Sequence, residues 1–342
     1  MNHPKHVDWN WRPPAEWTAI TTIDMHTGGE ALRVITGGLP NIEGTTVLEK
    51  RRYFREHYDF LRTGLMHEPR GHADMYGAVI SPSRDADFDV FFLHNEGYST
   101  MCGHAIIALT KLAIESNRVP GPNISFNVPA GRIEANAKIE RGQVIRAQFR
   151  NVPSFLYERD QKLQVSGVGE VKFDIAYGGA FYAIVDAASL GLKLDASDYA
   201  RLIRAGRNIK NAIVKDRRIE HPFEPDLSFL YGTIFTGSAR EVTHHSRNVC
   251  VFADGEVDRS ATGSGVSARA ALHYAKGEIG LNEKITIESI VDSKMTVQAL
   301  SETGFGPYTA IIPEVSGAAH VIGRNEFWFD PDDPLATGFI FR

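Results

Sequence analysis

Two stretches of the chain are apolar on every side of a predicted helix. The residues AIIALTKLAI from Ala105 to Ile114 leave no polar stripe, and the stretch from Ala268 to Ala275 repeats the pattern with smaller side chains. A helix that is apolar all round is typically a buried one. Gly277 follows the second stretch and is a predicted C-terminal stop. The pattern therefore predicts two buried helices, each wrapped in a sheet of its own.

Short runs rich in β-branched and aromatic residues supply the strands for such sheets. They alternate with turns that contain glycine and proline, and they include DVFFLHN, RIEANAKI, FYAIVDA and KITIESIV. Few other segments are long and apolar enough to be helices. We therefore expect a mixed α/β (α+β) fold.

The chain also contains an internal repeat of long period. The segment FFLHNEGYSTMCGHAIIALTKLA, from Phe91, aligns without a gap with VFADGEVDRSATGSGVSARAALH, from Val251. Upstream, TGGEALRVI from Thr27 matches YGGAFYAIV from Tyr177. The repeat predicts two similar domains, in which Cys102 and Thr262 occupy equivalent helix N-termini. A cleft between the domains would bring those two helix ends face to face.

Composition narrows the class of protein. The chain has 342 residues, which suits about two domains, and 43% of them are hydrophobic. The formal net charge of −5 argues against a nucleic-acid partner. Two cysteines argue against a disulfide framework and for a reducing compartment. The N-terminus has no apolar core like that of a signal peptide, and no stretch is long enough for a membrane span. We therefore expect a cytoplasmic protein that does not bind membranes.

The first predicted helix begins at the motif MCGH. Unpaired N–H groups and the helix dipole make a helix N-terminus an anion site, and the same field lowers the pKa of a cysteine there. We therefore expect Cys102 to be a thiolate at neutral pH. Gly103, without a side chain, lets the backbone approach a ligand closely, and His104 adds an imidazole.

The second predicted helix begins within DRSATGSG. This segment supplies the carboxylate of Asp258, the hydroxyl of Thr262 and backbone donors at Gly263 and Ser264. Two helix N-termini in one cleft suit a carboxylate, and Asp258 suits a cationic amine. The implied ligand is a small amino acid.

At this point the sequence resembles the proline racemase family, whose fold is diaminopimelate epimerase-like. The resemblance covers nearly the whole chain after residue 17 and rests on DMHTGGE, EPRGHADMYGA, MCGH, AYGGAFYAIVDA, SRNVCVF and DRSATGSGVSA. It implies two pseudosymmetric half-domains, 18–175 with Cys102 and 176–324 with Asp258 and Thr262, and an irregular arm over 1–17. Strands near 325–342 are candidates to complete the first half-domain. The resemblance also implies a possible homodimer and a site in the cleft that needs no cofactor and no metal.

Racemases and epimerases of this family use one cysteine on each face of the substrate. Here Thr262 stands where the second cysteine is expected, and Ala261 stands where proline is usual. A hydroxyl is too weak an acid and base for that role, so the Cys–Thr pair resembles family members that dehydrate trans-3-hydroxy-L-proline. In that substrate the hydroxyl and the α-hydrogen share one face of the ring, so one base is enough. The expected product is 1-pyrroline-2-carboxylate, formed through an enamine.

The roles that the resemblance implies follow from this reaction on a cyclic imino acid. Cys102 takes the α-proton, and its thiol or His104 returns a proton to the departing hydroxyl. Asp258 and His104 bracket the ring amine, and Thr262 closes the far face. The N–H groups that follow Cys102 and Thr262, including those of Gly103, His104, Gly263 and Ser264, bind the carboxylate.

Other interpretations remain open. One is an isomerase, a proline racemase or 4-hydroxyproline epimerase, and another is a non-catalytic protein that binds a cyclic amino acid. The segment GSGVSA fits a dinucleotide fingerprint only weakly, because its counterpart GHAIIA lacks the second glycine. Cys250, between two valines, is expected to be a buried strand residue and not a second nucleophile.

Overall fold

The computed structural model describes residues 11–341. The first ten residues of the expected arm, and Arg342, lie outside this range. From Trp11 the arm runs along the body of the protein, and the indole of Trp11 lies 5.4 Å from that of Trp328 between ring centroids. The described part of the arm therefore packs against the C-terminal part of the chain.

Eighteen strands form one continuous sheet in the described chain. Some strands alternate buried and exposed side chains, as strands with one face on a core do, and others are buried along nearly their whole length. In chain order the strands are β1 (Thr18–Thr27), β2 (Glu30–Gly37), β3 (Tyr76–Pro82), β4 (Phe88–His94), β5 (Gly97–Ser99), β6 (Asn123–Val128), β7 (Gly131–Glu140), β8 (Gln143–Arg150), β9 (Ser154–Val165), β10 (Gly169–Tyr177), β11 (Phe181–Asp186), β12 (Leu230–Gly237), β13 (Ser246–Phe252), β14 (Glu256–Val257), β15 (Ile285–Glu288), β16 (Lys294–Phe305), β17 (Tyr308–Gly317) and β18 (Ala319–Phe329).

The pairing of these strands divides the sheet into two halves with the same topology. In the first half the order is β18-β1-β2-β3-β4-β6-β7-β8, and in the second it is β9-β10-β11-β12-β13-β15-β16-β17. The corresponding pairs β2–β3, β4–β6, β11–β12 and β13–β15 are parallel, and the others are antiparallel. Strand β17 also pairs with β8 and β9 and so joins the halves. The internal repeat in the sequence thus appears as a repeated architecture.

Four α-helices within residues 11–341 complete the fold, and two of them are the predicted buried helices. Helix α2 (Gly103–Glu115) packs inside the first half, and α4 (Gly263–Ala275) packs inside the second. Gly277, at φ +74°, follows the end of α4, as predicted. The sequence pattern did not specify α1 (Val47–Met66) and α3 (Tyr199–Asp216), which are amphipathic and cover the outside of the sheets.

The half-domain bounds 18–175 and 176–324 remain predictions. Strand β18 lies beside β1, with Thr18 opposite Phe329. Strand β10 lies between β9 and β11, and both β9 and β10 contact α4. No helix within residues 11–341 is long and apolar enough to cross a bilayer.

The N-termini of α2 and α4 touch each other at two glycines. A Cβ atom built on Gly103 would lie 2.5 Å from the Cα of Gly263, and one on Gly263 would lie 2.5 Å from the Cα of Gly103. Real Cβ atoms do not approach other heavy atoms this closely. Glycine at both positions therefore allows the two helix ends to meet at the centre of the molecule.

Replacing Gly103 with alanine should force the helix ends apart. We expect a loss of roughly 1–3 kcal/mol in the free energy of unfolding, which is the usual cost of overpacking a buried site, and a loss of ligand binding. Urea denaturation followed by circular dichroism measures the first effect. The control is Gly121→Ala, because a Cβ at Gly121 has no atom within 4 Å. Equal stability of the two variants would contradict the proposed contact.

Candidate active site

A closed cavity lies where the two helix N-termini meet. Its free volume is about 20 Å³, which is enough for about one water molecule. Both halves of the sheet and the ends of both helices contribute to its wall. The lining residues are Glu30, Tyr76, Met101, Cys102, Gly103, His104, Tyr182, Tyr231, Phe252, Asp258, Thr262, Gly263 and Ser264.

The structure brings together all seven residues that the sequence analysis assigned to the site. Cys102 and Thr262 are the N-cap residues of α2 and α4, and both are about 5% exposed. The first N–H groups of a helix have no partner within that helix, so both helix ends present donors here. Two converging sets of N–H donors form a site for an anionic group such as a carboxylate.

Cys102 and His104 form a hydrogen-bonded pair. The sulfur lies 3.2 Å from Nδ1 of the imidazole and 3.6 Å from Nε2. Burial lowers the pKa of His104 to about 3, although a ring N–H also donates to the backbone carbonyl of Ala31. The imidazole is therefore neutral, and the nitrogen that carries no proton can accept the S–H of Cys102.

The expected thiolate at Cys102 is wrong for this closed cavity. Burial raises the pKa of the Cys102 thiol well above its ordinary value, and the carboxylates of Asp258 and Glu30 raise it further. The backbone N–H of Ala105, in the first turn of α2, lowers the pKa as expected for a helix N-terminus, but this effect is smaller than that of burial. The reason is that the buried sulfur loses more from desolvation of its charged form than the helix N-terminus returns.

Thr262 has a strained backbone. Its φ and ψ angles are 66° and 93°, and positive φ is unfavourable for a β-branched residue. Its hydroxyl is buried and makes no hydrogen bond of normal geometry among the described residues, although it lies near enough to lower the pKa of Asp258. Strain of this kind costs of order 1–3 kcal/mol and is concentrated at functional sites.

Two carboxyl groups face the cavity, and the sequence analysis assigned only one of them. Asp258 accepts a hydrogen bond from the Ser260 N–H at 2.7 Å, and burial raises its pKa to about 6. Glu30 is 1% exposed, and its Oε2 accepts from the Arg259 N–H at 2.7 Å. Burial raises the pKa of Glu30 well above its ordinary value, and the neighbouring Asp258 raises it further. The described lining contains no lysine or arginine to balance them.

Aromatic side chains form the rest of the wall. The Tyr182 hydroxyl lies 2.7 Å from the Ser264 hydroxyl at the start of α4, and the Tyr76 hydroxyl is bonded to that of Ser99. Tyr76 also packs edge-on against the His104 ring, with 4.9 Å between the ring centroids. Both tyrosines, like Glu30, lie in motifs that indicated the family, but their position in a motif did not show that they reach the cavity.

Cys250 is a fully buried residue of β13, as predicted.

Within residues 11–341 no group of three or more histidine, cysteine, aspartate or glutamate side chains is arranged to hold a metal ion. The cavity thus offers backbone donors for a carboxylate, carboxyl groups for a cationic amine, and a thiol–imidazole pair between them.

The pseudosymmetric fold and the cleft between its halves place the protein in the structural class of racemases and epimerases. The chain belongs to the proline racemase family, whose model matches residues 22–340.

Relatives and a solved structure resemble nearly the whole chain. A trans-3-hydroxy-L-proline dehydratase from Colwellia psychrerythraea is 50% identical, over 97% of this chain and 96% of its own. The protein of the same name from Homo sapiens is 45% identical, over 94% and 95%. A 3-hydroxyproline 2-epimerase from Burkholderia multivorans is 43% identical, over 95% and 98%. The crystal structure of a hydroxyproline epimerase from Agrobacterium vitis with bound trans-4-hydroxy-L-proline has a TM-score of 0.90 and 29% identity, covering 96% of both chains.

Replacing Asp258 with asparagine should stabilise the fold at alkaline pH. The pKa of about 6 in the folded protein lies above the ordinary 3.8, so the ionised carboxylate is disfavoured by folding. Stability falls as the pH rises from about 4 to about 6 and stays reduced above that range, by about 3 kcal/mol at pH 8. The variant lacks this penalty and should melt several degrees higher at pH 8.

Thermal unfolding at a series of pH values measures this difference. The advantage of the variant should shrink as the pH is lowered towards 4, where Asp258 is largely protonated in both states. Asp254→Asn, at an exposed carboxylate, is the matched control and should show no such trend. An advantage that is independent of pH would refute the assignment of the penalty to ionisation of Asp258.

Proposed function

We propose that the protein dehydrates trans-3-hydroxy-L-proline to 1-pyrroline-2-carboxylate, without a cofactor. The observation that carries the proposal is that the residues at the N-termini of α2 and α4 differ in their chemistry. The N-cap residue of α2 is Cys102, whose thiol is hydrogen-bonded to the imidazole of His104. The N-cap residue of α4 is Thr262, which carries a hydroxyl instead. Two relatives with the corresponding name, at 50% and 45% identity, support the same reaction.

Substrate binding follows from the charges around the cavity. The ring carboxylate accepts from the N–H groups at the starts of α2 and α4, and the ring ammonium approaches the Asp258 carboxylate. The cavity is smaller than a five-membered ring, so the two halves must separate to admit the substrate and close again around it. Closure removes water, which strengthens the interactions between charges inside the cavity.

Proton abstraction starts from the Cys102–His104 pair. With the ammonium bound beside the sulfur, the thiol passes its proton to His104, and the resulting thiolate takes the α-proton. The electron pair of the Cα–H bond moves towards the carboxylate, where the helix N–H groups stabilise the developing charge. The same electron pair then forms the Cα–C3 double bond as the C3–O bond breaks and water leaves. The enamine tautomerises to 1-pyrroline-2-carboxylate.

The second candidate function is epimerisation, which the name of the Burkholderia multivorans relative suggests. Inversion at Cα requires a proton donor on the face opposite Cys102. Thr262 occupies that face, and a hydroxyl is a far weaker acid than a thiol. This position therefore favours elimination over inversion.

The purified protein tests the choice between these functions directly. With trans-3-hydroxy-L-proline we expect pyrroline formation, followed by its reaction with o-aminobenzaldehyde. Cys102→Ser should lower the rate by at least 10²-fold, as expected for loss of a general base. Cys250→Ser, at the other buried cysteine, is the matched control and should remain active. A change of optical rotation without pyrroline would favour an epimerase, and binding without turnover would favour a binding protein.

Thr262→Cys should create the missing second acid. A cysteine here has almost the same size and is not β-branched, so the positive φ angle is no obstacle to folding. We expect the variant to invert L-proline and trans-4-hydroxy-L-proline at rates that polarimetry detects, whereas the wild type shows none. Thr262→Ser is the control. Inversion by the wild type would overturn the one-base mechanism.

A further inference from the structure

The proposed reaction needs a proton for the departing hydroxyl, and Cys102 and His104 are both used in removing the α-proton. Both polar contacts of the His104 ring are already made: a ring N–H donates to the carbonyl of Ala31, and the other contact is with the sulfur of Cys102. Cys102 itself must act as the base. Thr262 lies on the opposite side of the cavity, in the other half of the fold.

We propose that Glu30 is the general acid that protonates the departing 3-hydroxyl, an inference that rests on the proposed function. Glu30 begins β2 and lines the cavity with Cys102 and Asp258. Its Oε1 is buried and has no hydrogen-bond partner among the described residues. The other oxygen, Oε2, is fixed by the N–H of Arg259. One oxygen is therefore held in place while the other is free to meet a ligand.

Glu30 lies at the start of β2, which is hydrogen-bonded to the start of α2 beside Cys102. It belongs to the same half of the fold as Cys102, and the next residue, Ala31, accepts the hydrogen bond from His104. Thr27, just before β2, also donates to the backbone carbonyl of His104 at 2.8 Å. The start of β2 and the start of α2 are thus joined by two hydrogen bonds. Because the α-hydrogen and the 3-hydroxyl share one face of the ring, the base and the acid are needed on this same side.

The internal repeat supports the assignment independently. The alignment that places Thr27 opposite Tyr177 places Glu30 opposite Ala180. The second half of the fold therefore has an alanine where the first half has Glu30, as it has Thr262 where the first half has Cys102. Both departures from symmetry place a thiol and a carboxyl group in the first half where the second half has a hydroxyl and a methyl group.

The protonation states of the two carboxyl groups fit these roles. The pKa of Glu30 is raised well above its ordinary value, mainly by burial and then by Asp258. The pKa of Asp258 is raised to about 6, again by burial. Burial thus raises the pKa of both carboxyl groups, which suits Glu30 to the role of an acid, while Asp258 binds the ammonium.

The proton balance closes in this scheme. The thiol proton moves to His104, the α-proton moves to the thiolate, and the Glu30 proton leaves with the hydroxyl as water. The products are the enamine, the Cys102 thiol, a protonated His104 and the Glu30 carboxylate. His104 then returns its proton to Glu30 through the departing water, which restores the starting state.

The test compares a leaving group that needs a proton with one that needs it far less. Glu30→Gln should lower pyrroline formation from trans-3-hydroxy-L-proline by about 10²- to 10⁴-fold. Fluoride release from trans-3-fluoro-L-proline, measured with an electrode, should stay within a few-fold of the wild type. Deuterium exchange at Cα of trans-3-hydroxy-L-proline in D₂O should also persist. Glu170→Gln, at an exposed position of β10, is the matched control.

Each outcome decides the question. Unchanged pyrroline formation in Glu30→Gln would overturn the role of Glu30 while the proposed function stands. Equal loss of pyrroline formation, fluoride release and exchange would assign Glu30 a structural or binding role and overturn the proposal as well. A wild-type protein that forms no pyrroline would instead remove the proposed function itself, together with the inference that rests on it.

Discussion

The contact between Gly103 and Gly263 is the constraint on which the site depends. Two helix N-termini each carry a partial positive charge, so their approach is electrostatically unfavourable. The sheets around α2 and α4 hold them together nevertheless, and strand β17, which pairs with β8 and β9, ties the two halves to each other. The site is therefore built to bind negative charge at one point. A carboxylate offsets the repulsion that the fold has imposed.

The same contact explains why the chemistry of the site can be one-sided although the fold is symmetric. Symmetry of the backbone fixes two equivalent positions, at the N-caps of α2 and α4 and at the starts of β2 and β11. The side chains at these positions differ: Cys102, Thr262 and Glu30 line the cavity, whereas Ala180 lies in the hydrophobic core. Cys102 against Thr262 and Glu30 against Ala180 are such differences. A symmetric pair of thiols would suit inversion, whereas this arrangement suits removal of two groups from one face.

Much of the fold and part of the site could be predicted from the sequence. The apolar stretches predicted α2 and α4, and the repeat placed Cys102 and Thr262 at equivalent positions, because both signals are patterns of residue type along the chain. The amphipathic helices α1 and α3 were not predicted, because neither contains a long apolar stretch or a motif that stands out in the sequence. The pKa of Cys102 was expected to fall and instead rises, because the helix-end effect is visible in sequence whereas closure of the cavity is not. Glu30 was missed for the same reason: its burial and its free oxygen depend on the approach of Arg259 from the other half.

The cavity combines several features that are energetically unfavourable. Two buried carboxyl groups with no lysine or arginine in the cavity wall, and a threonine at positive φ, cost stability. A zwitterionic imino acid relieves several of these costs at once, because its ammonium meets the carboxyl groups and its carboxylate meets the helix ends. The gain is larger for a ligand that carries both charges than for one that carries either alone. If the proposed function holds, the unfavourable electrostatics of the cavity would therefore favour a zwitterionic ligand.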